Sequence, residues 1–124
     1  MAAAWLFLSV GPGLEVALPQ GTVHRLVHRD DPEFKSLLPE SLDLAAILGS
    51  APDPLLPGIL IRLASGAIWR AGDATLHRSD EALRYIALSP DLFALQPPWC
   101  RGILEGGGRW AYVVDEEALH RAAP

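Results

Sequence analysis

Ile59-Leu60-Ile61-Arg62-Leu63, Ala64-Ser65-Gly66 and Ala67-Ile68-Trp69-Arg70-Ala71 form the stretch whose reading decides the fold. The first piece alternates around Arg62, the second has turn composition, and the third returns as a second apolar run. Such a pattern predicts two antiparallel strands joined as a hairpin. Towards the C-terminus, Gly106-Gly107-Gly108 separates Arg101 to Glu105 from Arg109 to Val114 and gives the strongest hairpin signal in the chain. Asp115 then stands where it can cap a helical turn containing Leu119.

The N-terminal half repeats the theme. Trp5 to Val10 is apolar at nearly every position, as expected of a strand covered on both faces. After Gly11-Pro12-Gly13, the segment Leu14 to Leu18 alternates and places Leu14, Val16 and Leu18 on one side. Pro19-Gln20-Gly21 turns into Thr22 to His28, so these three strands read as an antiparallel meander. Arg29 to Glu40 carries mixed charge and two prolines and reads as a surface connection. Ser41 is placed to cap a short helix whose Leu44, Ile47 and Leu48 share one face, with Gly49 ending it. Asp53-Pro54 through Gly58 is the best boundary between two halves. Thr75 to His77 and Tyr85 to Leu88 are weaker strands around a polar stretch, and Pro90 to Pro98 is an irregular segment expected to cover a barrel end.

Composition narrows the function. At 124 residues the chain is one compact domain that buries roughly two thirds of its unfolded surface. Its net charge is −5 and its ten basic residues are scattered, so it lacks the cationic stripe that nucleic-acid binding needs. Cys100 is the lone cysteine and calls for no oxidising compartment. The opening MAAAWLFLSV has no basic n-region and no small-residue cleavage site, and it is too short to span a bilayer as a helix. The expectation is a cytoplasmic protein without direct membrane insertion.

No residue pattern calls for catalysis, a metal or a cofactor. His24 and His28 would converge on a metal only on a helix; on a strand they lie about 13 Å apart on one face. Cys100 begins an apolar strand without a neighbouring base and reads as a structural thiol. Gly106 to Gly108 leads into a strand rather than a helix, unlike a phosphate loop. Of the four tryptophans, Trp5, Trp69 and Trp110 read first as core. Trp99, after Pro97-Pro98, reads equally as packing or as an interface anchor.

The order of these elements resembles the CheW-like domain. Trp5-Leu6-Phe7-Leu8 followed by Leu14 to Pro19 resembles the first hairpin of that family, and Leu42-Asp43-Leu44-Ala45-Ala46-Ile47-Leu48-Gly49 its Asp-Leu…Leu-Gly segment. Ile59 to Leu63, Ala67 to Asp73, Cys100 to Leu104 and Trp110 to Asp115 resemble strands of its second barrel. The resemblance implies a mainly β fold, residues 1–124 as a single CheW-like domain of two small antiparallel β-barrels with short helical turns. These are residues 1–50 and 58–119. The stretch Asp31 to Glu40 lacks the glycines of the family, which implies an incomplete first barrel. The implied function is a non-catalytic adaptor that binds the cytoplasmic tip of a methyl-accepting chemoreceptor, a CheA-type histidine kinase regulatory domain, or only one of them. Val23, Leu44 and Leu48, with Ile103 opposite, are the implied groove residues. Two other readings stay open: a small β-barrel that binds a ligand or acts as an enzyme of unknown chemistry, and a structural or dimerisation module.

Overall fold

A computed structural model describes residues 4–51, 55–77, 83–87, 99–106 and 108–122. Its strands are β1 (Trp5–Gly11), β2 (Leu14–Pro19), β3 (Val23–His28), β4 (Leu42–Asp43), β5 (Ile59–Leu63), β6 (Ile68–Ala71), β7 (Asp73–His77), β8 (Arg84–Ala87), β9 (Cys100–Gly106) and β10 (Arg109–Val114). Its α-helices are α1 (Phe34–Leu37), α2 (Leu44–Ile47) and α3 (Glu116–Ala122). The boundary at Asp53-Pro54, the polar stretch before β8 and the segment Pro90 to Pro98 fall outside the described residues.

The local readings hold where the chain pairs with its near neighbours. β1 and β2 form a hairpin, with Gly13 at φ 73° in the turn. β5 pairs antiparallel with β6, and β9 with β10. Asp115 caps α3, its carboxylate accepting from the Ala118 N–H at 3.2 Å. Gly49 follows α2 at φ 71° and ends it as expected. The cap at the other end of α2 is Asp43 rather than Ser41: the Asp43 side chain accepts from the Ala45 N–H, while the Ser41 hydroxyl donates to the Leu38 carbonyl.

The expectation of two closed barrels is overturned. A six-stranded sheet runs β7-β1-β2-β10-β9-β8 and a four-stranded sheet runs β3-β5-β6-β4, and in neither do the outer strands meet. Each sheet draws strands from both 1–50 and 58–119. The sheets are mixed rather than antiparallel, since β2 pairs parallel with β10 and β4 pairs parallel with β6. The expected meander also breaks: after β2, a 3-10 turn over Gln20–Thr22 sends β3 to the other sheet, where it pairs with β5. Alternation assigns each residue to a face, but it does not choose the partner strand when the partner is distant in sequence.

One hydrophobic cluster joins the inner faces of both sheets. Leu6, Leu8, Val16 and Leu18 come from the six-stranded sheet, and Ile59, Ile61, Leu63 and Trp69 from the four-stranded one. Leu44 of α2 and Leu119 of α3 complete it. Two smaller clusters cover the outer faces. Phe7, Ala17, Leu104, Ala111 and Val113 lie behind the larger sheet, which explains why β1 is apolar on both sides. Val27, Leu60 and Ile68 lie behind the smaller sheet and are covered by Phe34, with Leu37 and Leu38 packed alongside. The segment Arg29 to Glu40 is therefore not merely a surface connection; its central helix shields a sheet face.

Trp69 has no exposed surface, yet its indole nitrogen is a donor that needs an acceptor. His120 on α3 supplies one: Trp69 Nε1–H donates to His120 Nε2 at 3.0 Å, with the two rings edge to face. This bond and the fully buried Leu119 fasten α3 to the core. Leu119→Ala is expected to lower stability by about 2–5 kcal/mol, the range for truncating a buried leucine. Urea unfolding of the variant against the parent checks this.

Candidate surface on the six-stranded sheet

The inner face of the six-stranded sheet extends beyond what the other sheet covers. The strand registers set Leu8, Val16, Tyr112, Ile103 and Ile86 in one row across β1, β2, β10, β9 and β8. Leu8 and Val16 have no exposed surface, Tyr112 and Ile103 are half-buried, and Ile86 is 37% exposed. The row thus passes from core to solvent without changing its apolar character. In the adjacent row Trp110 is 50% exposed and stands opposite Glu105, which forms an ion pair with Arg84 of β8.

Aromatic rings hold this face in shape. Trp99 meets Tyr112 edge to face with centroids 5.9 Å apart, and Tyr112 meets Trp110 in the same way at 5.2 Å. Trp99 is buried and anchors the inner end. On the other side of the sheet, the Arg109 guanidinium lies 4.6 Å from the Phe7 ring centroid and binds the Glu15 carboxylate through both Nε and Nη2. Tyr85 stacks on Trp5 and closes over Gly102, where an added Cβ would meet the Ile86 carbonyl at 2.5 Å. A side chain at Gly102 would therefore force β8 away from β9.

The residues expected to form a groove do not converge on this face. Leu44 is 1% exposed and belongs to the core, and Val23 and Leu48 are half-buried and packed against the same cluster. Val23 also borders a shallow hollow of about 480 Å³ with Pro19 and Gln20. Ile103 does lie on the candidate face, with Trp99 beneath its inner end. Trp110, expected in the core, is instead half-exposed here, and Ile86 joins it on this face. Parity placed Trp110 on a strand face, but only the finite width of the second sheet leaves that position uncovered. Trp69 is fully buried as expected, whereas Trp5 is half-buried.

Among the described residues, one further polar grouping brings serine, carboxylate and imidazole side chains together. The Ser65 hydroxyl donates to Glu116 Oε2 at 2.5 Å, and the His120 Nδ1 lies 4.0 Å from that same oxygen. Serine, carboxylate and imidazole are thus neighbours, but the hydroxyl is bonded to the carboxylate and the imidazole Nε2 is occupied by Trp69. In a hydrolytic triad the imidazole stands between the other two. His24 and His28 are exposed on β3. Among the described residues, no three His, Cys, Asp or Glu side chains are grouped to hold a metal ion. Cys100 is half-buried, and burial pushes its thiol above the ordinary cysteine range. Among the described residues no helix is long and apolar enough to cross a membrane.

No protein-family model matches this chain, and no curated protein matches it. Together with the open, mixed sheets, this overturns the CheW-like resemblance and leaves the chemotaxis role drawn from it without family support.

Trp110→Ala is expected to change unfolding free energy by no more than about 1 kcal/mol, because half the ring already faces water. Trp69→Ala is expected to cost about 3–5 kcal/mol. Parallel urea titrations separate the two. For Cys100, the raised thiol pKa keeps the thiolate scarce at pH 8. Alkylation by iodoacetamide at that pH is expected to be slower in the folded protein than in urea, and equal rates would contradict the burial argument.

Proposed function

We propose that this protein is a non-catalytic adaptor that binds a protein partner through the outer part of the six-stranded sheet. The observation that carries the reading is the half-exposed Trp110, held edge-on by Tyr112 beside the apolar pair Ile86 and Ile103. An aromatic anchor fixed by its neighbours loses little conformational freedom on binding, and tryptophan is enriched among residues that dominate binding energy. Arg84–Glu105 at the margin supplies polar groups of both signs, as at the rim of an interface. The lone cysteine, which can form no intrachain disulfide, is in keeping with a cytoplasmic setting.

The support that stands is the apolar face, and no longer a family. A methyl-accepting chemoreceptor tip and a CheA-type kinase regulatory domain, the partners implied by the sequence reading, are specific proposals that calorimetric titration can test one at a time. With a partner that binds, Trp110→Ala is expected to weaken affinity by about 2 kcal/mol, roughly thirtyfold. Ile86→Ser should act in the same direction. A partner bound equally well by both variants would place the contact elsewhere on the molecule.

A further inference from the structure

A second surface feature lies apart from the aromatic face, and its reading does not depend on the adaptor proposal. Where β4 and β6 approach the hairpin end of β1, a cleft of about 280 Å³ opens. Arg29, Asp43 and Arg70 supply its charged lining, and Val10, Ala45 and Leu56 are among its apolar walls. The volume lies just below the range for ligand pockets, about 300–1,000 Å³.

Its electrostatics are set by how completely each charged group is already occupied. Asp43 spends one oxygen on the cap of α2, accepting from the Ala45 N–H at 3.1 Å. Its other oxygen accepts from Arg70 Nη2 at 2.6 Å. The carboxylate therefore positions Arg70 while leaving the remaining N–H donors of that guanidinium unspent. Arg29, which follows β3, has no acidic partner among the described residues. The backbone N–H groups of the two lining glycines are also spent: Gly58 donates to the Gly72 carbonyl, and Gly72 donates to the Ser9 carbonyl. What the cleft offers a ligand is thus guanidinium N–H donors above an apolar floor. Among the described residues lining it, one carboxylate opposes two guanidiniums, within a chain whose net charge is −5.

We propose that this cleft binds a small organic acid, with its carboxylate held by Arg29 and Arg70 and a short hydrocarbon body resting on Val10, Ala45 and Leu56. A planar guanidinium matches a carboxylate through paired N–H donors, which a flexible ammonium does not reproduce. The apolar walls favour an acid with a hydrocarbon body over a bare inorganic anion. The cleft admits only a short one.

The test uses the full chain labelled with ¹⁵N, titrated separately with hexanoate, hexanamide and inorganic phosphate at constant ionic strength. Saturable amide shifts clustered around Arg29, Asp43, Ala45, Arg70 and Gly72 are expected with hexanoate, and binding at least tenfold weaker with the other two. Arg29→Gln is expected to weaken hexanoate about ten- to a hundredfold, since a charge-assisted contact is lost. Its side chain is exposed and leaves the fold intact, which the unperturbed spectrum of the variant verifies. Absence of saturable binding would overturn the proposal, as would hexanamide or phosphate binding as tightly as hexanoate. Hexanoate affinity unchanged in Arg29→Gln would overturn it equally.

Discussion

The indole N–H of Trp69 must find an acceptor inside a core that, among the described residues, holds no fully buried polar or charged residue, and the partly exposed His120 is that acceptor. A large ring at the centre of the four-stranded sheet brings much apolar area into the core. Its nitrogen would cost about 1–3 kcal/mol if left unsatisfied there. The bond ties the end of the chain to its middle and sets α3 across the edge of the shared core. Glu116 lies beside His120 and takes the Ser65 hydroxyl, so the turn between β5 and β6 is fastened to the same helix. Polar groups that elsewhere form catalytic relays serve here to close a sandwich.

Around that fastening, the chain crosses repeatedly between two open sheets. β1 and β2 enter the larger sheet, β3 and β4 form the edges of the smaller, and the second half supplies the central pair of the smaller sheet and the other four strands of the larger. This exchange makes one core out of two halves that look separable in sequence. It also leaves the sheets unequal in width. The larger sheet carries its apolar inner face past the end of its cover, and the row from Leu8 to Ile86 comes gradually into solvent. The candidate protein-binding face is thus a geometric consequence of covering six strands with four. The acidic cap of α2 has a comparable side effect, since Asp43 completes the helix start and at the same time aims Arg70 into the cleft.

Much of the local architecture was legible in the residues. Turns at Gly13, Gly66 and Gly108 follow from a requirement for positive φ that glycine meets without strain. The inward set Leu14, Val16 and Leu18 follows from period two, and the α3 cap from an aspartate three residues ahead of a free N–H. The lid formed by Phe34, Leu37 and Leu38 was overlooked, although their spacing of three and four is helical. Prolines and mixed charge around them masked a signal only one turn long. Of the five candidate binding residues, Ile103 lies on the exposed face and Trp99 anchors it from below, while Leu44 is core.

By itself the sequence determined most of the strands, which side of each is apolar, and where the chain turns, though not the short β4. Those properties depend on residues within a few positions of one another. The tertiary structure alone decided which strands pair, that the sheets stay open, and that Trp110 faces water while Trp69 does not. Both tryptophans sit on strands with similar neighbours. What separates them is the extent of an opposing layer built from residues distant in sequence, and no local pattern carries that information.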